Sequence, residues 1–155
     1  MTSEDFGRII NIKRFKKLAG YLDPNKIVSG GRSNEADLYI EPTILENISI
    51  QDPVMQEEIF GPVVTIQPFS DESHALQLAN NTSYGLAASV WTSDVNRAHR
   101  FAANLESGIV WVNTWLLRDL RTPFGGVKHS GVGREGGWEA LRFFTEPQNV
   151  CIELD

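Results

Sequence analysis

The stretch VVTIQPFSDESHALQLANNTSYGLAASVWTSDVNRAHRFAANLESGIVWV, residues 63–112, decides the fold. Val63–Phe69 reads as a strand. Ser70 and Asp71 then open a helix with Ala75, Leu78 and Ala79 on one face. Leu86–Trp91 is a second strand. Ser93 opens a second helix that turns Val95, Ala98, Ala102 and Leu105 inward, and Ile109–Val112 is a third strand. Strand, helix, strand, helix, strand calls for parallel pairing with helical crossovers, normally right-handed. The expected class is α/β, with a parallel βαβαβ sheet.

Upstream, Asn11 can cap a helix with an apolar stripe of Ile12, Phe15, Ala19 and Leu22, stopped by Asp23-Pro24. Short strands are expected at Lys26–Val28 and Tyr39–Leu45. Downstream, TPFGGVKHSGVGREGG reads as a long glycine-rich loop. A helix follows over Arg134–Phe144 and a last strand over Asn149–Leu154.

The bulk properties narrow the function. A chain of 155 residues suffices for a core, and its apolar content of 41% is ordinary for a globular protein. No apolar run reaches the roughly 18 residues of a membrane span. The start MTSEDFGRII shows no secretory signal, so the cytosol is the expected compartment. A net charge of −6 argues against nucleic acid, whose phosphates are met by Lys and Arg. The one cysteine, Cys151, excludes an internal disulfide framework and a Cys-rich zinc site. Set in an apolar strand near the end, it reads as a small buried residue.

GVGREG, residues 131–136, matches the G-x-G-x-x-G of dinucleotide-binding turns. That turn needs a strand directly before it and an acidic residue about 20 positions later. A loop precedes Gly131 here and the chain ends too soon, so the glycines are expected to shape a tight entry into the last helix. Glu135 would then complement the dipole of its first turn. On residues alone, Phe60 reads as a core aromatic before a Gly-Pro turn and Glu58 as a solvated carboxylate beside Glu57. Arg118, Asp119 and Arg121 read equally well as a surface charge cluster.

Two stretches give those residues another meaning. PVMQEEIFGPVV (53–64) and NTWLLRDLRTPFGGVKHSGVGREGG (113–137) resemble the C-terminal portion of the NAD(P)-dependent aldehyde dehydrogenases. The resemblance runs from about Phe6 to Leu154. It implies an incomplete catalytic domain over 1–146 and an oligomerisation strand over 147–155. It implies that Glu58 holds the ribose hydroxyls beside the nicotinamide and that Phe60 lies against the nicotinamide ring. It places a substrate tunnel along Asn113–Phe124, with Phe124 against the substrate and Glu135 near the tunnel's active-site end. Arg134 and Glu146 resemble a family ion pair near the subunit interface, and NVCIEL the segment that pairs across subunits into a homo-oligomer. The RDLRTPFGG version is similar to dehydrogenases of hydroxymuconic and aminomuconic semialdehydes. Those substrates carry a distant carboxylate that Arg118, with Arg121 second, would clamp.

Residues 5–66 look most like a broad-specificity, fatty-aldehyde branch, and residues 76–152 like the muconic branch. The family mechanism uses a cysteine thiolate, a glutamate base and an oxyanion-binding Asn, with hydride passing to NAD(P). The resemblance puts those residues and the Rossmann domain upstream of this portion. The isolated chain is therefore expected to be inactive, with uncovered apolar surface. Its alternatives are a non-catalytic module that pairs through its terminal strand, or a small NAD-binding protein using GVGREG.

Overall fold

Helix α1 (Ile12–Ala19) starts where its sequence says: the Asn11 side chain accepts the Arg14 N–H at 2.9 Å. It ends at Gly20, earlier than Asp23-Pro24 suggested. It buries Leu18 completely together with Phe15, whereas Ile12 stays exposed. The computed structural model describes residues 7–154, so Phe6 and Asp155 lie outside the described residues. The chain divides into two compact units, Met1–Leu78 and Ala79–Asp155.

In the first unit, strands β1 (Ile27–Ser29), β2 (Ser33–Asn34), β3 (Tyr39–Ile40) and β4 (Thr43–Leu45) follow α1. The single strand expected over Tyr39–Leu45 is cut at Pro42, which has no N–H for a ladder. Tyr39 and Ile40 pair antiparallel with β2, while Ile44 and Leu45 pair with β1. A one-turn helix α2 (Pro53–Gln56) leads to β5 (Val63–Thr65), which lies parallel to β4 in the order β1-β4-β5. Two apolar clusters fill this unit. Phe15, Leu18 and Ile40 form one; Leu45, Ile48 and Val54 form the other. Burying a side chain such as Leu18 contributes about 1.5–3 kcal/mol.

Helix α3 (Glu72–Asn80) spans the division, and the Asp71 carboxylate accepts the His74 N–H at 2.9 Å. In the second unit, β6 (Tyr84–Gly85) is followed by β7 (Ala87–Val90), α4 (Val95–Asn104) and β8 (Ile109–Val112). β7 and β8 pair in parallel, Ala87 opposite Ile109, so this segment is a true βαβ unit. The cap of α4 is Asp94, one residue after the expected Ser93, and it accepts the N–H groups of Asn96 and Arg97. β9 (Val127–Lys128) pairs antiparallel with β6, and α5 (Gly137–Phe144) is the last helix.

Five expectations are corrected. The βαβαβ run does not form one sheet, because β5 takes β4 as its partner. Helix α5 starts at Gly137 rather than Arg134, because Gly136 and Gly137 have φ of +80° and +55°. A side chain at Gly136 would also stand 2.7 Å from the Thr122 carbonyl. Glu135 therefore lies outside the helix and does not serve its dipole. The strand expected over Asn149–Leu154 has no ladder among the described residues, and residues 145–154 are exposed. Cys151 is exposed with them. No helix among the described residues is long and apolar enough to cross a membrane.

Candidate functional site

In the first unit the site is the turn Glu57–Gly61. Asp52 caps α2 through the Val54 N–H at 3.1 Å, and the helix lasts one turn before the chain reverses toward β5. Alternation along the turn then sorts its side chains. Ile59 points inward and packs on both apolar clusters. Its neighbours Glu58 and Phe60 are exposed. Phe60 is 76% exposed, which overturns its reading as a core aromatic. Its φ of +55° is left-handed, costing roughly 1–2 kcal/mol for a residue with a Cβ.

The two glutamates differ. The Glu57 carboxylate accepts Lys17 Nζ at 2.8 Å and the Tyr21 hydroxyl at 2.6 Å. The Lys17 ammonium holds it below the usual carboxylate range. The Glu58 carboxylate has no hydrogen bond or ion pair among the described residues. An unpaired carboxylate has four acceptor positions, enough for two neighbouring hydroxyls. Beside it stands the open ring of Phe60. A carboxylate with free acceptor positions beside an exposed ring can take a pair of hydroxyls and a planar ring, and both residues line one open groove with Val54 and Val63.

In the second unit the site is built on the loop after β8. The Asn113 side chain closes on the Thr92 backbone, accepting its N–H and donating to its carbonyl, each at 2.8 Å. The buried Trp111 donates its indole N–H to the Leu117 carbonyl at 2.7 Å. These bonds carry the chain to Arg118. Further on, Phe124 and Glu135 form a β-bridge, exchanging two backbone hydrogen bonds of 2.7 Å. Directly opposed residues put their side chains on one side. The ring and the carboxylate thus make a cradle, and Arg118 occupies it. Its guanidinium sits 4.1 Å from the Phe124 ring centre and forms an ion pair with Glu135.

Arg121 goes elsewhere. Its Nε donates to Asp119 at 2.9 Å, its side chain is 89% exposed, and its guanidinium holds the Asp119 carboxyl below the usual range. The surface pairing that the sequence left open holds for Arg121, whereas Arg118 is brought to Phe124. Arg134 donates to the carbonyls of Gly126 and Gly133 at 2.8 and 2.7 Å. Glu146 makes no ion pair among the described residues, so the expected Arg134–Glu146 pair is not formed within the chain. The glycine run 131–136 is a loop: β9 ends at Lys128, and no strand enters Gly131.

Sequence reasoning passed over Arg14, Lys17 and Tyr21, whose polar ends reach the 57–60 turn. Their signal was the helical spacing of positions 14, 17, 18 and 21, a face shared by polar and apolar residues. No group of metal-ligating side chains exists among the described residues.

Comparison with known proteins identifies the family. The sequence pattern of the aldehyde dehydrogenase family matches residues 2–150. The chain is 45% identical to a 2-hydroxymuconic semialdehyde dehydrogenase of Pseudomonas putida, over 97% of its own length and 33% of the relative's. It is 41% identical to a 2-aminomuconic semialdehyde dehydrogenase of Danio rerio, over 97% and 34%. Among solved structures, it superimposes with a TM-score of 0.85 on the P. syringae AldA indole-3-acetaldehyde dehydrogenase, a complex with NAD+ and IAA. That likeness is at 35% identity and covers 95% of this chain and 31% of the other. The chain spans about a third of the length of the curated relatives it matches.

Proposed function

The chain belongs to the aldehyde dehydrogenase family, and on that premise we propose that it supplies one wall of the nicotinamide site and one wall of the substrate site. The reaction is oxidation of an aldehyde to a carboxylic acid, with NAD(P) as the hydride acceptor. The observation that carries the reading is the sorting of the 57–60 turn. Ile59 anchors it in the core while the unpaired Glu58 carboxylate and the Phe60 ring face outward. Glu58 accepts the ribose hydroxyls, and Phe60 fixes the plane of the nicotinamide. Arg118 meets a carboxylate at the far end of the substrate, which makes the substrate a semialdehyde such as those of muconic acids. Phe124 backs that guanidinium and packs against the substrate. Arg121 contributes positive charge at the rim, tempered by Asp119.

None of these residues is a nucleophile, and the one cysteine lies exposed in the tail. We therefore expect these 155 residues alone to leave aldehydes untouched. Uncovered apolar side chains such as Trp138, Phe144 and Ile152 favour self-association.

The test is Arg118→Ala in the dehydrogenase that the source cells make. Loss of a charge-assisted bond of about 2–3 kcal/mol raises KM for a carboxylate-bearing semialdehyde roughly 30- to 150-fold. KM for a neutral aldehyde barely moves. Equal effects on both substrates refute the clamp. A second reading, a non-catalytic module that pairs through residues 147–155, is favoured by the exposed, unpaired tail.

A further inference from the structure

Helix α1 holds the 57–61 turn at three points. Its Lys17, with Tyr21 just beyond its end, fixes the Glu57 carboxylate, and Leu18 packs on Gly61. The third point is Arg14. It is half-buried, its Nη2 donates to the Ile59 carbonyl and lies 3.5 Å from that of Glu58, and its guanidinium stands 5.7 Å from the Phe60 ring centre. Those two carbonyls belong to the successive peptides on either side of Ile59, the second of which leads into Phe60, the residue with left-handed φ. An exposed aromatic on a left-handed backbone has no core to keep it there. One guanidinium reaching two successive carbonyls and the ring beyond them supplies the restraint.

We propose that Arg14 is a positioning residue for the nicotinamide end of the cofactor. It fixes the backbone between Glu58 and Phe60, so that carboxylate and ring stand at a set separation before the cofactor arrives. The proposal rests on the assignment of Glu58 and Phe60 to the cofactor. Arg14 itself touches neither aldehyde nor the reacting atoms. Its loss therefore slows hydride transfer, which depends steeply on placement, and leaves aldehyde KM alone.

Two measurements test it. In the purified protein, Arg14→Met keeps the stem and removes the donors. Cleavage by a glutamyl endopeptidase after Glu57 and Glu58 rises about tenfold, while cleavage after the other glutamates is unchanged. Arg14→Lys, with its charge but no fork, falls between and serves alone if the Met variant does not fold. Unchanged cleavage at the turn, or an equal rise at every glutamate, overturns the proposal. In the dehydrogenase, Arg14→Met lowers kcat about tenfold and enlarges the isotope effect from an aldehyde-deuterated substrate, and Arg14→Lys restores part of the rate. Glu58→Gln gives the same signature directly. A slow Glu58→Gln beside a normal Arg14→Met overturns the role of Arg14 alone. Normal rates in both overturn the cofactor reading beneath it.

Discussion

Replacing Gly61 by Ala tests how tightly the turn is docked on α1. Gly61 needs no special backbone freedom, since its φ lies outside the left-handed region. An added Cβ would stand 2.7 and 2.8 Å from the two terminal carbons of Leu18. A leucine end normally swings away from such a clash. Leu18 has nowhere to go: it is fully buried against Phe15 and Ile40. The extra methyl is therefore overpacking, with a cost of about 1–3 kcal/mol. Leu18→Ala alone opens a cavity and costs about 2–5 kcal/mol. In the double variant the new methyl enters that cavity, so Gly61→Ala becomes neutral or stabilising there. The assay is a double-mutant cycle from urea unfolding followed by far-UV circular dichroism, because all four tryptophans lie beyond residue 90. If Gly61→Ala costs the same in both backgrounds, to within about 0.5 kcal/mol, the two residues do not share that space and the docking argument fails.

The acid limb of stability should depend on Lys17. Glu57 is held below its ordinary range by Lys17, and Asp52 by Lys26, so both contribute above the ordinary carboxylate pKa. That contribution is lost as pH falls through the depressed values, below about pH 4.5. Lys17→Met should shrink the difference in urea midpoint between pH 7 and pH 3; an unchanged difference would show that the pair contributes nothing. Lys17, raised by Glu57, acts in the opposite sense: its share is complete below its ordinary value and is lost as pH rises through the raised one. For the tail, deletion of residues 148–155 should convert oligomers to smaller species in sedimentation, and an unaltered mass would remove the tail from the interface.

Much of the fold was legible where a single local rule decided it. Asn11 capped its helix, and Ile109–Val112 formed the strand that its apolar run announced. What failed needed information from far along the chain. Parallel pairing of β5 follows from the edge that β4 offers, and nothing within 63–112 records that edge. The start of α5 turned on two glycines bent left-handed against the backbone of 120–122, although Arg134 and Glu135 are good helix formers. Cys151 read as buried from its apolar neighbours, but burial needs a partner surface and the described residues give it none.

The site was legible as a pattern and opaque as a mechanism, for a related reason. EEIFGP contains two glutamates and one phenylalanine, and nothing in the string says which glutamate is free or where the ring goes. The answer comes from α1, some forty residues earlier. Lys17 neutralises Glu57, with a hydrogen bond from Tyr21 just past the helix, Arg14 grips the carbonyls of the turn, and Ile59 is drawn into the core. What remains outside, Glu58 and Phe60, remains because the helix has taken the rest. The same logic separates the two arginines. Asp119 sits two residues from Arg121 and claims it locally, while the Phe124–Glu135 bridge forms a cradle that Arg118 enters. Of the two glutamates, the available one is set by which sibling a structural partner has engaged; of the two arginines, Asp119 holds one at the surface while Glu135 and Phe124 hold the other in the cradle. That makes the partners, Lys17 and Asp119, as informative to mutate as the functional groups themselves. Removing Asp119 should free Arg121 to compete for a substrate carboxylate. Arg118→Ala would then cost less in an Asp119→Ala background than in the native one. Identical costs in the two backgrounds would mean that the local pairing plays no part in the choice.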